Sequence, residues 1–554
     1  MKKPEHINLK IEEIEALLAR VEKGLSQDGD YEIIKSMADT IIFLNQAVNS
    51  KNVSIKRLLK MLFGIKTEKK NKIFKNSDSD DKDDPPDNQS GTGNPPNKKP
   101  DNLKVTRKKP KGHGKNGADK YTGANREFIS HQELKHGDSC PLCLKGKCYN
   151  LRLPGVVIKI SATAPLHATI YDVEKLRCNL CGKVFTAKAP DNIKGKHYDE
   201  KAKAMIALLK YGCGLPWYRM EKLQHSLGIP LPASTQWDQV EAAANLIYPV
   251  FNELKQQAAQ GDIFHNDDTT MKVLELIKEN NIASALQGKG TCETKNRKER
   301  TGIFTTGILS ILDDKKIALF YTGRNHAGEN IDSLYKIRDK KKDPPIQMCD
   351  ALSRNTSSEF ETIMANCLTH ARRGFVDVAE NFPDECRYVI ETLAQVYKID
   401  AITKKQQMNP DERLEFHQLH SKPLMEELHL WLNKQINDKL VEPNSGLGQA
   451  VKYMLNHWSK LTRFLHTPGA PLDNNICEQA LKRAILHRKN AMFYKTLHGA
   501  YIGDLFMSLI HTCHLMKINP FKYLVALQKN THALFKNPSQ WMPWNYEKVV
   551  AMES

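Results

Sequence analysis

The chain has 554 residues, too many for one hydrophobic core to be a good assumption, and length sets an expectation of roughly three or four domains. Lys and Arg number 82 against 64 Asp and Glu, a formal charge of +18 that favours a polyanionic partner, nucleic acid ahead of an anionic membrane surface. No run approaches the roughly 18 apolar residues that cross a bilayer, and the start, MKKPEHINLKIEEIEALL, carries acids where a secretory leader is apolar, so the expectation is a cytosolic protein with no membrane partner.

Ile7, Ile11, Ile14, Leu18, Val21 and Leu25 step alternately by four and three, and after a break at 26–30 the stepping resumes from Ile34 to Ile65. This heptad seam over 1–70 fits a dimerising coiled coil, or an antiparallel hairpin within one chain. Residues 71–126 are poor in apolar residues and rich in Asp, Asn, Pro, Gly and Lys, the composition of a disordered linker. Its first part is acidic, whereas from Lys98 to Lys120 nine basic residues face only Asp101 and Asp119. That stretch is either a basic arm tracking phosphates or a solvated tail.

Cys140-Pro-Leu-Cys143 and Cys178-Asn-Leu-Cys181 are two CxxC units with 34 residues between them. Each turn points two thiolates at one ion, and two turns complete a closed, tetrahedral, structural zinc site. The β-rich stretch between them fits a ribbon over 127–192. Redox-active CxxC pairs belong at helix starts in a βαβ context that is missing here. Cys148 falls outside the spacing, and the other cysteines are expected to be ordinary buried thiols.

From Tyr198 to Gln260 the pattern is helical, broken at Gly214-Leu-Pro216 and Gly228-Ile-Pro230-Leu-Pro232. These helices, over 195–255, form either a helix-turn-helix that enters a major groove or a spacer. The pattern turns to β at Asp262, where GDIFHNDDTTMKVLEL is a short strand interrupted by Asp267-Asp268-Thr269. TGIFTTGILSIL and KKIALFYTG follow as strands, and PPIQMCDALSRN is an apolar segment ending on Asp350. Downstream, Asp473-Asn-Asn475 supplies helix-capping residues, and Glu478 lies near the start of that helix on the face of Lys482. Three carboxylates from neighbouring strands and a helix suit two Mg²⁺ ions about 3.5–4 Å apart, the arrangement of a two-metal nuclease. A Glu and Lys four apart are equally an ordinary surface ion pair.

Taken together, these segments resemble the bacterial transposases of the insertion-sequence 66 family, a branch of the DDE, ribonuclease-H-like, transposases. The resemblance runs over almost the whole chain, through SIKRLLKMLFGIKTEKK, KGHGKNGA, the two CxxC units, HNDDT, GRNHAGEN, CLTHARRGF, the DNN-x-x-E helix with RKN, and the closing SLIHTCHLMKINPFKYLVAL and WMPWNY.

The resemblance implies a multidomain α+β protein with a ribonuclease-H-like core over 256–375 and 466–515, a helical insertion over 376–465 and a C-terminal tail over 516–554. It makes Asp267, Asp350 and Glu478 the catalytic carboxylates, holding Mg²⁺ or Mn²⁺, and Zn²⁺ structural. The separation of 478 − 350 = 128 residues leaves room for the insertion. Arg372 and Arg373 would face DNA or the insertion. Lys482, Arg488 and Lys489 would touch the DNA backbone. Cys367-Leu-Thr-His370 resembles a Cys-x-x-His signature of several DDE groups, read here as packing beneath the site. Two departures stand out: Thr270 where many relatives carry Pro, and Asp350-Ala-Leu where many carry Asp-Gly-Tyr. The implied partners are double-stranded DNA, further copies of the chain and accessory proteins of the same element, in the bacterial cytoplasm at the nucleoid. Other classes consistent with the residues are a non-catalytic zinc-ribbon regulator and a nuclease that cuts without joining.

Overall fold

The computed structural model describes residues 197–287 and 300–553, together with 20, 21, 30, 33–35, 136–139, 141, 145–147, 149, 165–172, 174–177 and 184–187. The expected linker, most of the heptad seam and all four proposed zinc cysteines (Cys140, Cys143, Cys178, Cys181) lie outside them. The chain divides into two compact units, Ser79–Pro165 on one hand and Met1–Asp78 with Leu166–Ser554 on the other. In the smaller unit, Ser139 and Lys147 form an antiparallel bridge on either side of the first CxxC stretch. In the larger one, β1 (Lys175–Arg177) and β2 (Val184–Thr186) pair antiparallel on either side of the second.

Directly ahead of the main sheet lie α1 (Glu200–Ala207), which widens into a π-helical turn over Leu208–Gly212, α2 (Trp217–Ser226) and α3 (Ala233–Ala259). The breaks fall at Gly214 and Gly228, which both take positive φ, +71° and +75°, a conformation that glycine adopts without a Cβ penalty. Ile206, Val240, Ile247, Phe251 and Leu254 from these helices belong to the same core as Phe264, Ile308 and Phe320 of the sheet.

That sheet has five strands: β3 (Ile263–Thr270), β4 (Phe304–Leu312), β5 (Lys315–Gly323), β6 (Ile346–Cys349) and β7 (Ile363–Asn366). Their order is β5-β4-β3-β6-β7, with β3, β4 and β5 antiparallel in turn and β6 and β7 parallel to β3. This mixed sheet flanked by helices is compatible with the ribonuclease-H-like core that the resemblance implies. Two helices lie between its strands in sequence, α4 (Leu274–Gln287) after β3 and α5 (Ala327–Tyr335) after β5.

After β7 come α6 (Leu368–Val378), α7 (Pro383–Lys405), α8 (Pro410–His420), α9 (Lys422–Asn437) and α10 (Gly446–Asn456). They bury Phe375, Leu393, Leu428 and Val451 in a second core, shared with Ile346 and Met348 of β6 and Ala365 of β7. A polar node sits within it. Asp400, 2% exposed, accepts from Arg413 at 2.8 Å and lies 2.7 Å from Lys404 and 3.3 Å from His417. Arg413 also donates to the carbonyl of Ala470, just before the segment that carries Glu478.

The chain returns to the sheet through α11 (Asn475–Ala491) and α12 (Leu497–Leu515). An edge strand needs its free N–H groups satisfied, and α12 does this for β5. Asp504, Ser508 and Thr512, spaced one turn apart, accept from the N–H groups of Thr322, Phe320 and Ala318 at 2.6, 3.0 and 3.1 Å. Residues 516–554, expected as a tail, instead form α13 (Pro520–Lys529), α14 (Thr531–Lys536) and α15 (Tyr546–Glu553). Tyr523 and Trp541 are fully buried there and joined by a 2.8 Å bond from the Tyr523 hydroxyl to the Trp541 carbonyl. Apolar side chains spaced along this segment explain the packing, which the polar residues between them disguise.

Burial alone would raise the Asp400 carboxyl, but His417, Arg413 and Lys404 overcome it and hold it well below the usual carboxylate range. With the folded value below the unfolded one of about 3.9, the stabilisation is fully present above that pH and is lost progressively as pH falls below it and through the lower folded value. Asp400→Asn is therefore expected to cost about 3–5 kcal/mol at pH 7, the cost of breaking a buried pair. Urea unfolding from pH 7 to 3 should show the gap to the unsubstituted protein closing as the solution is acidified.

Candidate active site

Asp267 lies in the middle strand of the sheet, opposite Gly307 of β4. Asp350 follows β6 directly, and the parallel register pairs His265 with Met348, so two residues further on Asp267 and Asp350 stand level. Glu478 enters from the first turn of α11. Each of the three expected carboxylates thus arises from a different element, and Asp350 and Glu478 both act electrostatically on Asp267. Burial pushes the Asp267 carboxyl up to about 7, aided by the charges of Asp350, Asp268 and Glu478, against a lowering bond from the Asp268 N–H.

Two local features bring α11 this close. The first is Gly307: a Cβ there would stand 3.0 Å from Leu481 and 3.6 Å from the Cys477 sulfur, so the helix sits on bare backbone. Cys477 donates its thiol to the Gly307 carbonyl at 3.3 Å. The second is Asn474, fully buried, whose side chain donates to the Asn266 carbonyl at 3.0 Å and meets His265 Nδ1 at 3.1 Å. The sequence suggests Asn474 as a helix cap; it stands at the cap position, but its side chain makes no capping bond and staples the helix to β3 instead.

The two adjacent acids of β3 have separate work. Asp268 is spent on structure, since its carboxylate accepts from the Thr306 hydroxyl at 2.6 Å, the Ala327 N–H at 3.0 Å and lies 3.1 Å from His326 Nδ1. It caps α5, whose own capping box joins His326 and Glu329. Asp267 points to the cluster with one backbone bond, 2.8 Å from the Asp268 N–H. Asn355 of a short turn over Ser353–Asn355 reaches Asp350 at 2.7 Å and Asp267 at 3.4 Å, a contact that motif reading did not single out.

The expected pairing of Glu478 with Lys482 does not form. Lys482 is exposed, and the groups facing Glu478 come from α6: His370 Nδ1 at 3.7 Å and the Arg373 guanidinium at 3.8 Å. Glu478 Oε1 and His370 Nδ1 are buried and have no hydrogen-bond partner. The Cys367 sulfur, Glu478 and His370 lie within 4.8 Å of one another. Burial pushes the Cys367 thiol up to about 11, and its sulfur accepts the Asn474 N–H at 3.3 Å, so it links α6 to α11 as a neutral group. Of the other cysteines expected to be buried, Cys349, Cys386, Cys477 and Cys513 are, whereas Cys213 is exposed.

A hard divalent cation fits these donors. Asp350 and Glu478 lie near enough to Asp267 to act on it electrostatically, beside the burial that raises it most, and Glu478 Oε1 is buried with no hydrogen-bond partner, so the site offers oxygen ligands. Among the residues expected to touch DNA, Arg488 is engaged within the fold: it donates to Thr269 Oγ1 at 3.1 Å, to Thr270 Oγ1 at 2.5 Å and to the Thr270 carbonyl. The Thr270 hydroxyl that replaces a ring at this position is thereby used. Lys489 is exposed like Lys482, and Arg372 and Arg373 are half-buried.

Sheet order, strand sense and acids grouped at the middle strands are together compatible with the ribonuclease-H-like class. The chain matches the transposase IS66 family over residues 195–502, more than half its length, and belongs to that family, which gives it a transposase role. It is 32% identical to y4jD of Sinorhizobium fredii over 201 residues, which span 36% of this chain and 39% of that relative. It is 24% identical to y4hP of the same organism over 399 residues, 68% of each chain. Both relatives are described as uncharacterized proteins. Among the described residues, no helix is long and apolar enough to cross a membrane.

Gly307→Val is expected to overpack the seat of α11 and cost about 1–3 kcal/mol. Gly323→Ala is the matched control, because a Cβ at Gly323 meets nothing within 4 Å. Urea unfolding of both variants checks the contrast; equal stabilities would remove Gly307 as the seat.

Proposed function

We propose that the chain is a DDE transposase that cuts DNA at the ends of its element and joins them to target DNA, with Asp267, Asp350 and Glu478 as the metal-holding carboxylates. The observation that carries this reading is that acids from the end of β6 and from α11 act electrostatically on the buried Asp267 of β3. Magnesium or manganese held there supplies activation of the attacking oxygen and charge neutralisation at the leaving one.

The rest is positioning. Asp267 and Asp350 stand level because their strands are parallel and in register, and Glu478 closes the group from the helix above. Water attacks the phosphodiester at the element end, one P–O bond forms and another breaks, and the products are a 3′-hydroxyl and a 5′-phosphate. That 3′-hydroxyl then attacks a target phosphodiester, joining the strands and releasing a target 3′-hydroxyl. Lys482 and Lys489 offer positive charge to backbone phosphates, while Arg373 faces Glu478. Arg488 secures the end of β3 to α11.

Around this core, the zinc ribbon over 127–192 and the basic stretch of the linker would hold element ends. The heptad seam over 1–70 would join two copies so that both ends are synapsed, in a bacterial cytoplasm.

Two experiments test the reading. With Mg²⁺ or Mn²⁺ and DNA carrying the element ends, supplied with any partner proteins of the element, the protein should cleave and join strands. Asp267→Asn, Asp350→Asn and Glu478→Gln should each reduce both steps to background while DNA binding persists. Binding without cleavage by the unsubstituted protein would favour a regulator, and nicking without joining a plain nuclease. Elemental analysis should find one tightly held zinc per chain. It should disappear in Cys140→Ser/Cys178→Ser together with end binding; zinc content unchanged by that double substitution would refute the ribbon.

A further inference from the structure

We propose that Asn355 is a positioning residue that holds Asp267 and Asp350 in the mutual geometry a divalent cation requires; the inference rests on the reading of the site given above. Asn355 is 1% exposed, and its Nδ2 donates to Asp350 Oδ1 at 2.7 Å and reaches Asp267 Oδ1 at 3.4 Å. An amide nitrogen carries two N–H groups, enough to serve one oxygen of each acid. Bonds from such a donor to an ionised acceptor are about twice as strong as neutral ones.

The donor is itself fixed by the strands that carry the acids. The Asn355 carbonyl accepts from Asn266 Nδ2 at 2.6 Å and from Gln347 Nε2 at 2.9 Å. Gln347 Nε2 also donates to Asn266 Oδ1 at 3.0 Å. Asn266 directly precedes Asp267, and Gln347 lies on β6 three residues before Asp350. All three amides are buried. The network therefore locks the turn after β6 to both strands, and the Asn355 side chain spans the gap between the carboxylates.

The chemistry of the residue matters. A Lys or Arg here would neutralise the acids and compete with the cation, and a carboxylate would add repulsion. A neutral amide holds two like charges together while leaving the site short of positive charge. Its role is support of ligands rather than contact with the reacting atoms.

Mn²⁺ binding to the full-length protein, measured by calorimetry without DNA, tests this apart from activity. The unsubstituted protein should bind, Asp350→Asn should not, and Asn355→Ala should bind roughly 10–100-fold more weakly, the usual loss for a residue supporting metal ligands. Binding by Asn355→Ala equal to that of the unsubstituted protein, with Asp350→Asn inactive in binding, would overturn the inference and leave the site standing. Undiminished binding by Asp350→Asn would overturn the reading of the site, and the inference with it. Should Asn355→Ala fail to fold, Asn355→Leu keeps the volume and loses the donor. Its melting temperature should then rise less on adding Mn²⁺ than that of the unsubstituted protein; an equal or larger rise would overturn the proposal.

Discussion

The structure turns on keeping three carboxylates together with too little positive charge beside them. Burial and like charges both disfavour an ionised carboxylate, and the raised Asp267 carboxyl records burial first and its acidic neighbours after it. Besides Arg373 beside Glu478, the fold meets the cost through backbone geometry. Parallel pairing of β3 and β6 fixes two of the acids level with each other, and a glycine on β4 lets the third approach on a helix. Buried amides do the fastening: Asn474 binds α11 to β3, and Asn266, Gln347 and Asn355 bind the turn after β6 to both strands. Amides suit this task because they satisfy buried oxygens without supplying a cation that would fill the site.

The same economy appears at the far edge of the sheet. Strand β5 would end the sheet with free N–H groups, and α12 covers them with one carboxyl and two hydroxyls on successive turns. These polar groups are buried in a helix whose buried apolar side chains, among them Leu505, Phe506 and Leu509, belong to the main core. A helix fixed to an edge strand in this way also fixes its neighbour in sequence, α11, which carries Glu478. The insertion reaches the same helix from the other end, through Arg413 and the Ala470 carbonyl. Support for the third acid is thus distributed over residues far from it in the chain.

How much of this was legible in the sequence depends on the range of the interaction. Strand positions, the helix breaks at Gly214 and Gly228, and the acids themselves follow from local patterns and motif order. The division of labour between Asp267 and Asp268 does not, since the partners that occupy Asp268 stand at Thr306, His326 and Ala327, and no local rule distinguishes two adjacent acids on one strand. Spacing also suggests Lys482 for Glu478, but the tertiary fold presents His370 and Arg373 instead. The same holds for Asn474, where cap chemistry loses to a buried carbonyl that needs a donor. Signals for the amide network were present as polar residues inside apolar strands, Asn266 in IFHNDD and Gln347 in IQMC. A buried polar group demands partners, so such residues mark a network even where its members cannot be named.

Thr270 and Arg488 show how a departure from a family pattern is absorbed. A proline after the Asp-Asp-Thr would end β3 by removing a donor and fixing φ. Here Thr270 still pairs with Phe304 in the β3–β4 ladder, and its hydroxyl and carbonyl, with the Thr269 hydroxyl, receive Arg488 from the last turn of α11. One guanidinium thus secures the far end of the helix to the strand that carries Asp267, while Asn474 secures the near end. With both ends of α11 tied to β3, the distance between Glu478 and Asp267 is set by two points on the same pair of elements. A residue that resembles a DNA contact by position therefore serves the geometry of the acids, whereas Lys482 and Lys489 on the same helix are exposed.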